Sequence, residues 1–317
     1  MGDETEHRHR GDAALGRKAV LIAGPTASGK SALALDLAEA SGAVVVNADS
    51  MQVYAVLDLL TARPRPEDTA RAEHRLYGFI PPAERCSVGR WVAEVLVLLN
   101  DPALVDRDIV FVGGTGLFFD ALENGMADVP EIPKAALAEA EALVKPLDRQ
   151  GRLALIKARD PDMAARLAEP DPQRLVRALS VLFATGHSLA HWQDRALPPP
   201  LRGFDLERIV LDPGREIVNA RIAARFDAML ERGAVDEVAA LMRLGLDPDL
   251  PAMKAIGVRE IATWQAGKLS RAQAVERTVV ATRQYAKRQR TWFRQRMRAW
   301  KWLAGPGSDV DLIRPSS

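Results

Sequence analysis

The stretch that decides the fold is "KAVLIAGPTASGKS", residues 18–31. An apolar run that ends in glycine predicts a buried strand, and an apolar helical pattern follows from Ser31 to about Ala40. The loop between them fits G-x-x-x-x-G-K-[ST], in which backbone amides and a lysine surround phosphate oxygens. The sequence therefore predicts a polyphosphate site at a strand-to-helix turn.

The whole loop is the candidate diphosphate- or nucleotide-binding site. It comprises Gly24, Pro25, Thr26, Ala27, Ser28, Gly29, Lys30 and Ser31. Lys30 is expected to neutralise the outer phosphate oxygens, and the Ser31 hydroxyl is the candidate ligand of Mg²⁺, the one cofactor that the loop predicts.

Further strands follow the same pattern of β-branched residues ending in a polar or glycine turn. They are predicted within residues 43–50, 108–116 and 208–213, with helical patterns between them. This alternation is typical of an α/β fold with a parallel sheet. The predicted architecture is a P-loop NTPase-like core with a parallel sheet flanked by helices, plus an inserted all-helical domain.

The domain boundaries follow from composition. Residues 1–17 are polar and predict a disordered tail, residues 18–125 and 205–317 form the predicted core, and residues 126–204 form the predicted helical insertion. The last helices are expected to run to about Trp302.

Composition indicates an ordinary globular protein of 317 residues, 48% apolar and 27% charged. The net charge is only +1, but residues 271–301 carry ten Lys or Arg against one acid. The basic charge is therefore local. The single cysteine, Cys86, cannot form an internal disulfide, and no apolar run is long enough to span a membrane, so a cytoplasmic location without membrane contact is expected.

The loop alone does not say which phosphate it binds. A P-loop kinase usually has a metal-binding carboxylate at the end of a neighbouring strand. The run "IVFVGGTG" ends in glycines, whereas "VVVNADS" contains Asp49, which could be a metal ligand or a base. At this point a small-molecule kinase remains open.

Five ordered motifs add a resemblance to a known family. They are "GPTASGKS", "NADSMQVY", "GGTGLFFDAL", "DPQRLVRAL" and "ATRQYAKRQRTWFR". Together they resemble the tRNA dimethylallyltransferases, which transfer an isoprenoid from dimethylallyl diphosphate to the N6 amine of the adenosine immediately 3′ of the anticodon. The resemblance covers residues 18–301 and implies that the loop binds the diphosphate of the prenyl donor.

The resemblance also implies catalytic roles for three residues. Asp49 would be the base that accepts the amine proton, Thr115 would contact the target nucleotide, and Arg225 would reach the diphosphate. A base is useful because the lone pair of an exocyclic adenine amine is delocalised into the ring. The rival interpretation of Asp49 is a side chain that only caps its own turn.

The partner implied by the resemblance is the anticodon stem-loop of a tRNA, with the protein as a monomer. The implied tRNA-binding residues are Asp49, Ser50, Met51, Gln52, Thr115, Gln173, Arg174, Leu175, Val176 and Arg177. Asp171 is predicted to cap the helix that carries the last five. Residues 283, 287, 290 and 294 form a basic helical stripe that suits RNA phosphates.

Three positions depart from the family pattern: Ser180 replaces the usual Glu, Val258 the usual Tyr, and Leu137 an arginine that the family often carries. The alternatives that remain are a P-loop small-molecule kinase, an adenylate isopentenyltransferase acting on free AMP, and a non-enzymatic RNA-binding switch. The helical insertion and the basic C-terminal helix favour a macromolecular acceptor.

Overall fold

The computed structural model describes residues 16–167 and 171–305. They form two compact units: one joins the chain up to Glu123 to the chain from Pro200 onward, and the other is Asn124–Pro199.

The second unit ends at Pro199, whereas the sequence predicts that the helical insertion ends at residue 204. The residues after Pro199 return to the first unit: Leu201 is buried and its backbone N–H donates to the carbonyl of Leu122. Apolar burial therefore fixes the boundary more tightly than the proline-rich composition does.

The first unit contains strands and helices. The strands are β1 (Lys18–Ala23), β2 (Val44–Asn47), β3 (His74–Arg75), β4 (Ile109–Gly113), β5 (Asp205–Leu211) and β6 (Lys301–Leu303). The helices are α1 (Lys30–Ser41), α2 (Pro66–Arg71), α3 (Val88–Leu99), α4 (Gly116–Asn124), α10 (Arg215–Glu231), α11 (Ala234–Arg243), α12 (Val258–Gln265) and α13 (Arg271–Arg296). Strands and helices alternate from β1 to α4, and four consecutive α-helices then separate β5 from β6.

The six strands form one sheet in the order β3-β2-β4-β1-β5-β6, and all of their pairings are parallel. β1 lies between β4 and β5, and Leu21 and Ile22 on its opposite faces are both fully buried. A strand covered on both faces reads as a continuous apolar run, which explains "AVLIA". The predicted α/β fold with a parallel sheet is confirmed.

Two strands are additions to the sequence prediction. β3 has only two residues, too few for a periodic pattern. The other is β6: α13 ends at Arg296 and Lys301–Leu303 pair with β5, so the prediction of helices to about Trp302 is wrong.

The predicted N-terminal tail also needs correction. Residues 1–15 lie outside the described residues, but Arg17 is only 8% exposed. Its guanidinium donates to the carbonyls of Leu99, Leu104 and Arg107 and lies 5.0 Å from the ring centroid of Phe204. Arg17 therefore belongs to the core.

The second unit is helical in its described part. It contains α5 (Lys134–Val144), α6 (Arg149–Arg159), α7 (Pro161–Arg166), α8 (Pro172–Thr185) and α9 (Leu189–Gln193). Its core includes Ala140, Ile156, Leu175 and Leu179. In the described part of the whole chain, no helix is long and apolar enough to cross a membrane.

Candidate active site

The phosphate loop joins β1 to α1 and takes its shape from two left-handed residues. Ala27 has φ of 63° and Gly29 has φ of 98°, and α1 begins directly afterwards at Lys30. Gly24 is required for another reason, since a β-carbon there would lie 2.7 Å from the carbonyl oxygen of Leu211 in β5. The loop is therefore built against the sheet, with the amino end of α1 open to a ligand.

The eight loop residues divide into two groups. Gly24, Pro25 and Ser28 are buried and form its floor. Thr26, Ala27, Gly29, Lys30 and Ser31 line a cavity of about 590 Å³, here called the phosphate cavity. The candidate phosphate contacts are thus the second group.

Arginines from α10 face the same loop. Arg225 Nη2 donates to Thr26 Oγ1 over 2.6 Å, and Arg221 Nη1 donates to the carbonyl of Ser28 over 2.9 Å. Both arginines line the phosphate cavity. Sequence reasoning singled out Arg225 and missed Arg221, although their i, i+4 spacing places both on one helix face.

Lys30 also contacts the loop backbone, with its Nζ 3.3 Å from the carbonyl of Pro25. Burial lowers the pKa of Lys30 to about 8; Asp49 opposes this shift and Arg225 adds to it. Burial also lowers the pKa of Arg225. The cavity therefore holds poorly solvated positive charge, which an anionic ligand would stabilise.

Asp49 follows β2, at the carboxyl edge of the sheet. Its Oδ1 accepts a 2.9 Å hydrogen bond from the backbone N–H of Met51, so the turn-capping role is present. Its Oδ2 stands beside Gly114, where a β-carbon would lie 3.0 Å from it. One oxygen thus fixes the turn, and the residue also lines the phosphate cavity.

Thr115 and Ser50 hold each other in place. Thr115 Oγ1 accepts a hydrogen bond from the backbone N–H of Ser50 over 2.9 Å. The same hydroxyl donates to Ser50 Oγ over 3.1 Å. Neither residue is among those lining the phosphate cavity or the apolar cavity described below. The structure thus gives Thr115 a contact with the turn that carries Asp49, while its contact with a nucleotide stays a prediction.

Steric contacts explain why glycine is required in "GGTG". A β-carbon on Gly113 would lie 2.0 Å from the carbonyl oxygen of Ala48, and one on Gly116 would lie 2.2 Å from the ring of Trp292. The end of β4 therefore packs directly against the β2 turn and α13. No side chain, and so no carboxylate, fits at Gly113.

Gln289 in α13 is a site residue that the sequence interpretation missed. It is 6% exposed; its Oε1 accepts from the N–H of Thr26 and its Nε2 donates to the carbonyl of Gly114, both over 2.9 Å. It therefore connects the phosphate loop to the end of β4. The sequence feature that could have indicated Gln289 is an uncharged glutamine within a basic helix. The interpretation of this helix considered only its charged and aromatic residues.

A second cavity adjoins the phosphate cavity and has a volume of about 300 Å³. Its apolar lining includes Met51, Leu60, Ile222, Phe226, Met229 and Ile256, and we call it the apolar cavity. Thr26, Asp49, Thr61 and Arg225 line both cavities. The phosphate cavity and the apolar cavity, whose lining also includes Lys254 and Arg288, therefore share one carboxylate and one arginine.

Met51 and Gln52, two of the implied tRNA-binding residues, have different environments. Met51 lines the apolar cavity, whereas Gln52 lines the phosphate cavity. Gln52 Nε2 donates to the carbonyls of Thr61 and Ala62 over 2.8 and 3.0 Å. The amide nitrogen of Gln52 thus holds the cavity wall, and the predicted contact of this residue with RNA stays a prediction.

The phosphate cavity contains oxygen groups that suit Mg²⁺. The Ser31 hydroxyl and the Asp49 carboxylate line the same cavity, whereas the described residues contain no group of three or more His, Cys, Asp or Glu placed to bind a metal. Mg²⁺ often binds through one or two protein oxygens together with substrate phosphates and waters. The residues fit that mode, and Ser31 stays the predicted protein ligand.

The predicted RNA-binding helix of the second unit is α8. Asp171 accepts from the N–H of Arg174 over 3.0 Å and Pro172 is its first residue, so the predicted cap is confirmed. The side chains divide by burial: Gln173, Arg174 and Arg177 are exposed, Leu175 is fully buried and Val176 packs on the core of that unit. Any side-chain contact with RNA therefore falls to the three exposed residues.

The departures from the family pattern also have defined places. Ser180 is 1% exposed and its Oγ donates to the carbonyl of Arg177 over 3.0 Å. Val258 is 1% exposed at the start of α12, and Leu137 is 42% exposed on α5. Ser180 and Val258 are therefore packing positions, and Leu137 leaves an apolar side chain on the surface.

The basic stripe lies on the side of α13 away from Gln289. Arg283, Lys287, Arg290 and Arg294 line a groove with Arg215 and Asn219 of α10, here called the basic groove. Asp212 pairs with Arg290 over 2.6 Å and lies 4.0 Å from Arg294. Asp212 can offset only one of these two arginines, so the positive charge of the groove rests mainly on Arg215, Arg283, Lys287 and Arg294.

Comparison with known families and relatives gives one answer. The model of the IPP transferase family matches residues 52–296, and that of the isopentenyl transferase family matches residues 17–78. A tRNA dimethylallyltransferase of Chelativorans sp. strain BNC1 is 50% identical over 88% of this chain and 96% of its own length. One of Mesorhizobium japonicum is 48% identical over 95% and 94%.

Solved structures agree with the sequence relatives. A full-length tRNA isopentenylpyrophosphate transferase from Bacillus halodurans has a TM-score of 0.65 and 29% identity, over 94% of this chain and 93% of its own. A eukaryotic dimethylallyltransferase acting on tRNA has a TM-score of 0.75 and 26% identity, over 93% and 76%. This chain belongs to the IPP transferase family.

Proposed function

We infer that this protein is a tRNA dimethylallyltransferase. It transfers the dimethylallyl group from dimethylallyl diphosphate to the N6 amine of the adenosine immediately 3′ of the anticodon, in tRNAs reading codons that begin with U, and releases diphosphate. Family membership supports this function, and the relatives named above carry the same name.

The observation that carries the mechanism is the junction of the two cavities at Asp49 and Arg225. A prenyl diphosphate has one charged end and one apolar end, and the adjoining cavities match both. The diphosphate would contact Lys30 and Arg225 in the phosphate cavity, and the five-carbon chain would reach the apolar cavity past Thr26. The carbon that reacts would then lie close to Asp49.

The reaction requires a bond to break and another to form at that carbon. The carbon–oxygen bond to diphosphate breaks, with its electron pair leaving on the oxygen, and the N6 lone pair forms the new carbon–nitrogen bond. Asp49 accepts the proton that N6 loses, while Lys30 and Arg225 stabilise the charge that grows on the leaving oxygen. When bound, Mg²⁺ would add to this neutralisation, held by Ser31 and the diphosphate.

The acceptor must enter from an RNA loop. An adenine stacked in an anticodon loop cannot reach the Asp49 carboxylate inside a cavity, so the nucleotide must be flipped out of its stack. Ser50, Met51 and Thr115 lie around Asp49 and are the proposed contacts for that nucleotide. Gln173, Arg174 and Arg177 on α8 are the proposed contacts for the anticodon loop.

The decisive experiment for this function uses radiolabelled dimethylallyl diphosphate and Mg²⁺ with unmodified tRNA, AMP or ATP in parallel reactions. Label in tRNA alone is expected. Label in AMP would instead identify an adenylate isopentenyltransferase. ATP turnover without prenyl transfer would identify a small-molecule kinase or a nucleotide switch. The proposal also includes a cytoplasmic location and a monomeric state, and sedimentation with and without tRNA would test the monomeric state.

The lowered pKa of Lys30 predicts how donor capture depends on pH. In the free enzyme the ammonium form exists below about pH 8 and is lost as the pH rises through that value. Because only the charged form attracts diphosphate, kcat/KM for the donor should fall above about pH 8, by up to about tenfold per pH unit. A pH profile with Lys30→Met as the control should show this alkaline limb in the wild type alone.

The basic groove predicts how tRNA binding depends on salt. Arg283→Ala combined with Lys287→Ala should weaken tRNA binding and reduce the slope of log K against log salt by about 1–2, since each phosphate contact releases counterions. Arg271→Ala with Arg277→Ala is the matched control, because both arginines are exposed on α13 outside the groove. Equal slopes for both double variants would place the RNA elsewhere.

A further inference from the structure

A carboxylate outside both cavities is bonded to a segment of their wall. Glu237 in the first turn of α11 accepts hydrogen bonds from the backbone N–H groups of three consecutive residues, Asp58, Leu59 and Leu60, at 2.8, 2.7 and 3.0 Å. Hydrogen bonds to an ionised carboxylate are shorter and stronger than those between neutral groups. Three of them on one side chain make a firm attachment between elements distant in sequence.

The attached segment leads directly into the site. Leu60 lines the apolar cavity, Ala62 lines the phosphate cavity, and Thr61 lines both. The segment turns sharply here, since Ala62 has φ of 54° and its N–H donates to the carbonyl of Leu59 over 3.0 Å. A non-glycine residue in this conformation is held by its surroundings rather than by its own preference.

The same segment is attached from the opposite end by Gln52, which donates to the carbonyls of Thr61 and Ala62. Gln52 thus satisfies carbonyl groups at the end of the segment, and Glu237 satisfies N–H groups at its start. A β-carbon on Gly257 would lie 3.1 Å from the side chain of Leu60, so the wall also has little room to move toward α12.

We propose that Glu237 is a positioning residue for the prenyl donor: its carboxylate holds residues 58–60 so that Thr61 and Ala62 form the wall of the phosphate cavity. This proposal rests on the proposed function for the identity of the donor. Glu237 does not line either cavity and acts only through the segment that it holds.

The test compares Glu237→Ala and Glu237→Gln with Asp236→Asn. Asp236 is the exposed residue before Glu237 in the same first turn, so its variant matches the loss of an acid from that turn. Alanine removes all three acceptor contacts. Glutamine keeps one acceptor oxygen but places an NH₂ group opposite an N–H donor.

Steady-state kinetics should separate positioning from folding. Glu237→Ala should raise KM for dimethylallyl diphosphate by about tenfold or more, and Glu237→Gln should raise it by a smaller factor. KM for tRNA should stay within about twofold of the wild type, because only the wall of the phosphate cavity is displaced. Asp236→Asn should behave as the wild type. Wild-type donor KM in both Glu237 variants would overturn the proposal, as would equal increases in donor KM and tRNA KM.

Amide hydrogen exchange provides a readout that is independent of activity. In the wild type the N–H groups of residues 58–60 should be protected; Glu237→Ala should lose that protection and Glu237→Gln should lose part of it, while the strands keep theirs. Unprotected amides in the wild type would overturn the attachment itself. A wild type that protects these amides but labels no tRNA would refute the proposed function instead. If Glu237→Ala melts below the assay temperature, Glu237→Gln decides the kinetic question.

Discussion

Replacement of Asp49 is expected to lower kcat for prenyl transfer by about 10²–10⁴, the usual range for loss of a positioned general base. Asp49→Asn is the sharper variant, because its side-chain oxygen can still accept the hydrogen bond that Asp49 Oδ1 receives from Met51 N–H. It cannot accept the proton that N6 loses. The turn is therefore kept while the base is removed.

The measurement is the single-turnover rate of label transfer to tRNA, together with direct tRNA binding. Asp49→Asn should bind tRNA within about twofold of the wild type, since the loss lies in a proton transfer rather than in RNA contacts. Asp49→Ala should lose the same catalysis and also some thermal stability, because the N–H of Met51 loses its partner. An Asp49→Asn variant that keeps wild-type kcat would show that Asp49 only caps its turn.

The parallel sheet could be predicted because its central strands are covered on both faces. After Lys18 in β1 and before Asn47 in β2 the residues form continuous apolar runs, β4 reads "IVFVG", and β5 ends in an apolar run as well. The two outer strands could not be predicted on that principle. β3 has two residues and β6 three, and both form because an existing strand offers them unpaired backbone groups.

The predictions of the phosphate loop and of the role of Arg225 rested on different kinds of evidence. The loop is a contiguous pattern whose glycines have local geometric causes, such as the φ of 98° at Gly29. Arg225 lies 199 positions from Thr26, its hydrogen-bond partner, so periodicity could not connect them. That role came from the family resemblance, and the hydrogen bond now supplies a physical contact for it.

The residues that sequence reasoning missed act through the backbone. Gln289, Arg221 and Glu237 all bond to main-chain groups of distant segments. Such contacts depend on the tertiary position of the segment and not on its residue types, so they leave no pairwise signal in one sequence. The steric need for glycine at Gly113 is similar, because the obstacle is the backbone of Ala48.

Replacement of Lys30 is expected to lower kcat/KM for dimethylallyl diphosphate by about 10²–10³, as expected for loss of one preorganised charge facing a developing anion. Lys30→Met removes the ammonium and keeps most of the side-chain length, and Lys30→Ala removes both. The ammonium lies at the phosphate loop, 3.3 Å from the carbonyl of Pro25, so its loss affects the diphosphate end of the donor.

The two parts of kcat/KM separate the two roles of Lys30. If the ammonium bound the donor equally throughout the reaction, KM alone would rise; because charge grows on the leaving oxygen, kcat should fall as well. Lys18→Met is the matched control: Lys18 begins β1, at the end of the strand opposite to the phosphate loop, and pairs with Glu207 over 3.2 Å. Donor kinetics of Lys18→Met should equal those of the wild type. If Lys30→Met also left donor kcat/KM unchanged, the phosphate loop would not bind the leaving group, and the assignment of the two cavities would have to be reversed.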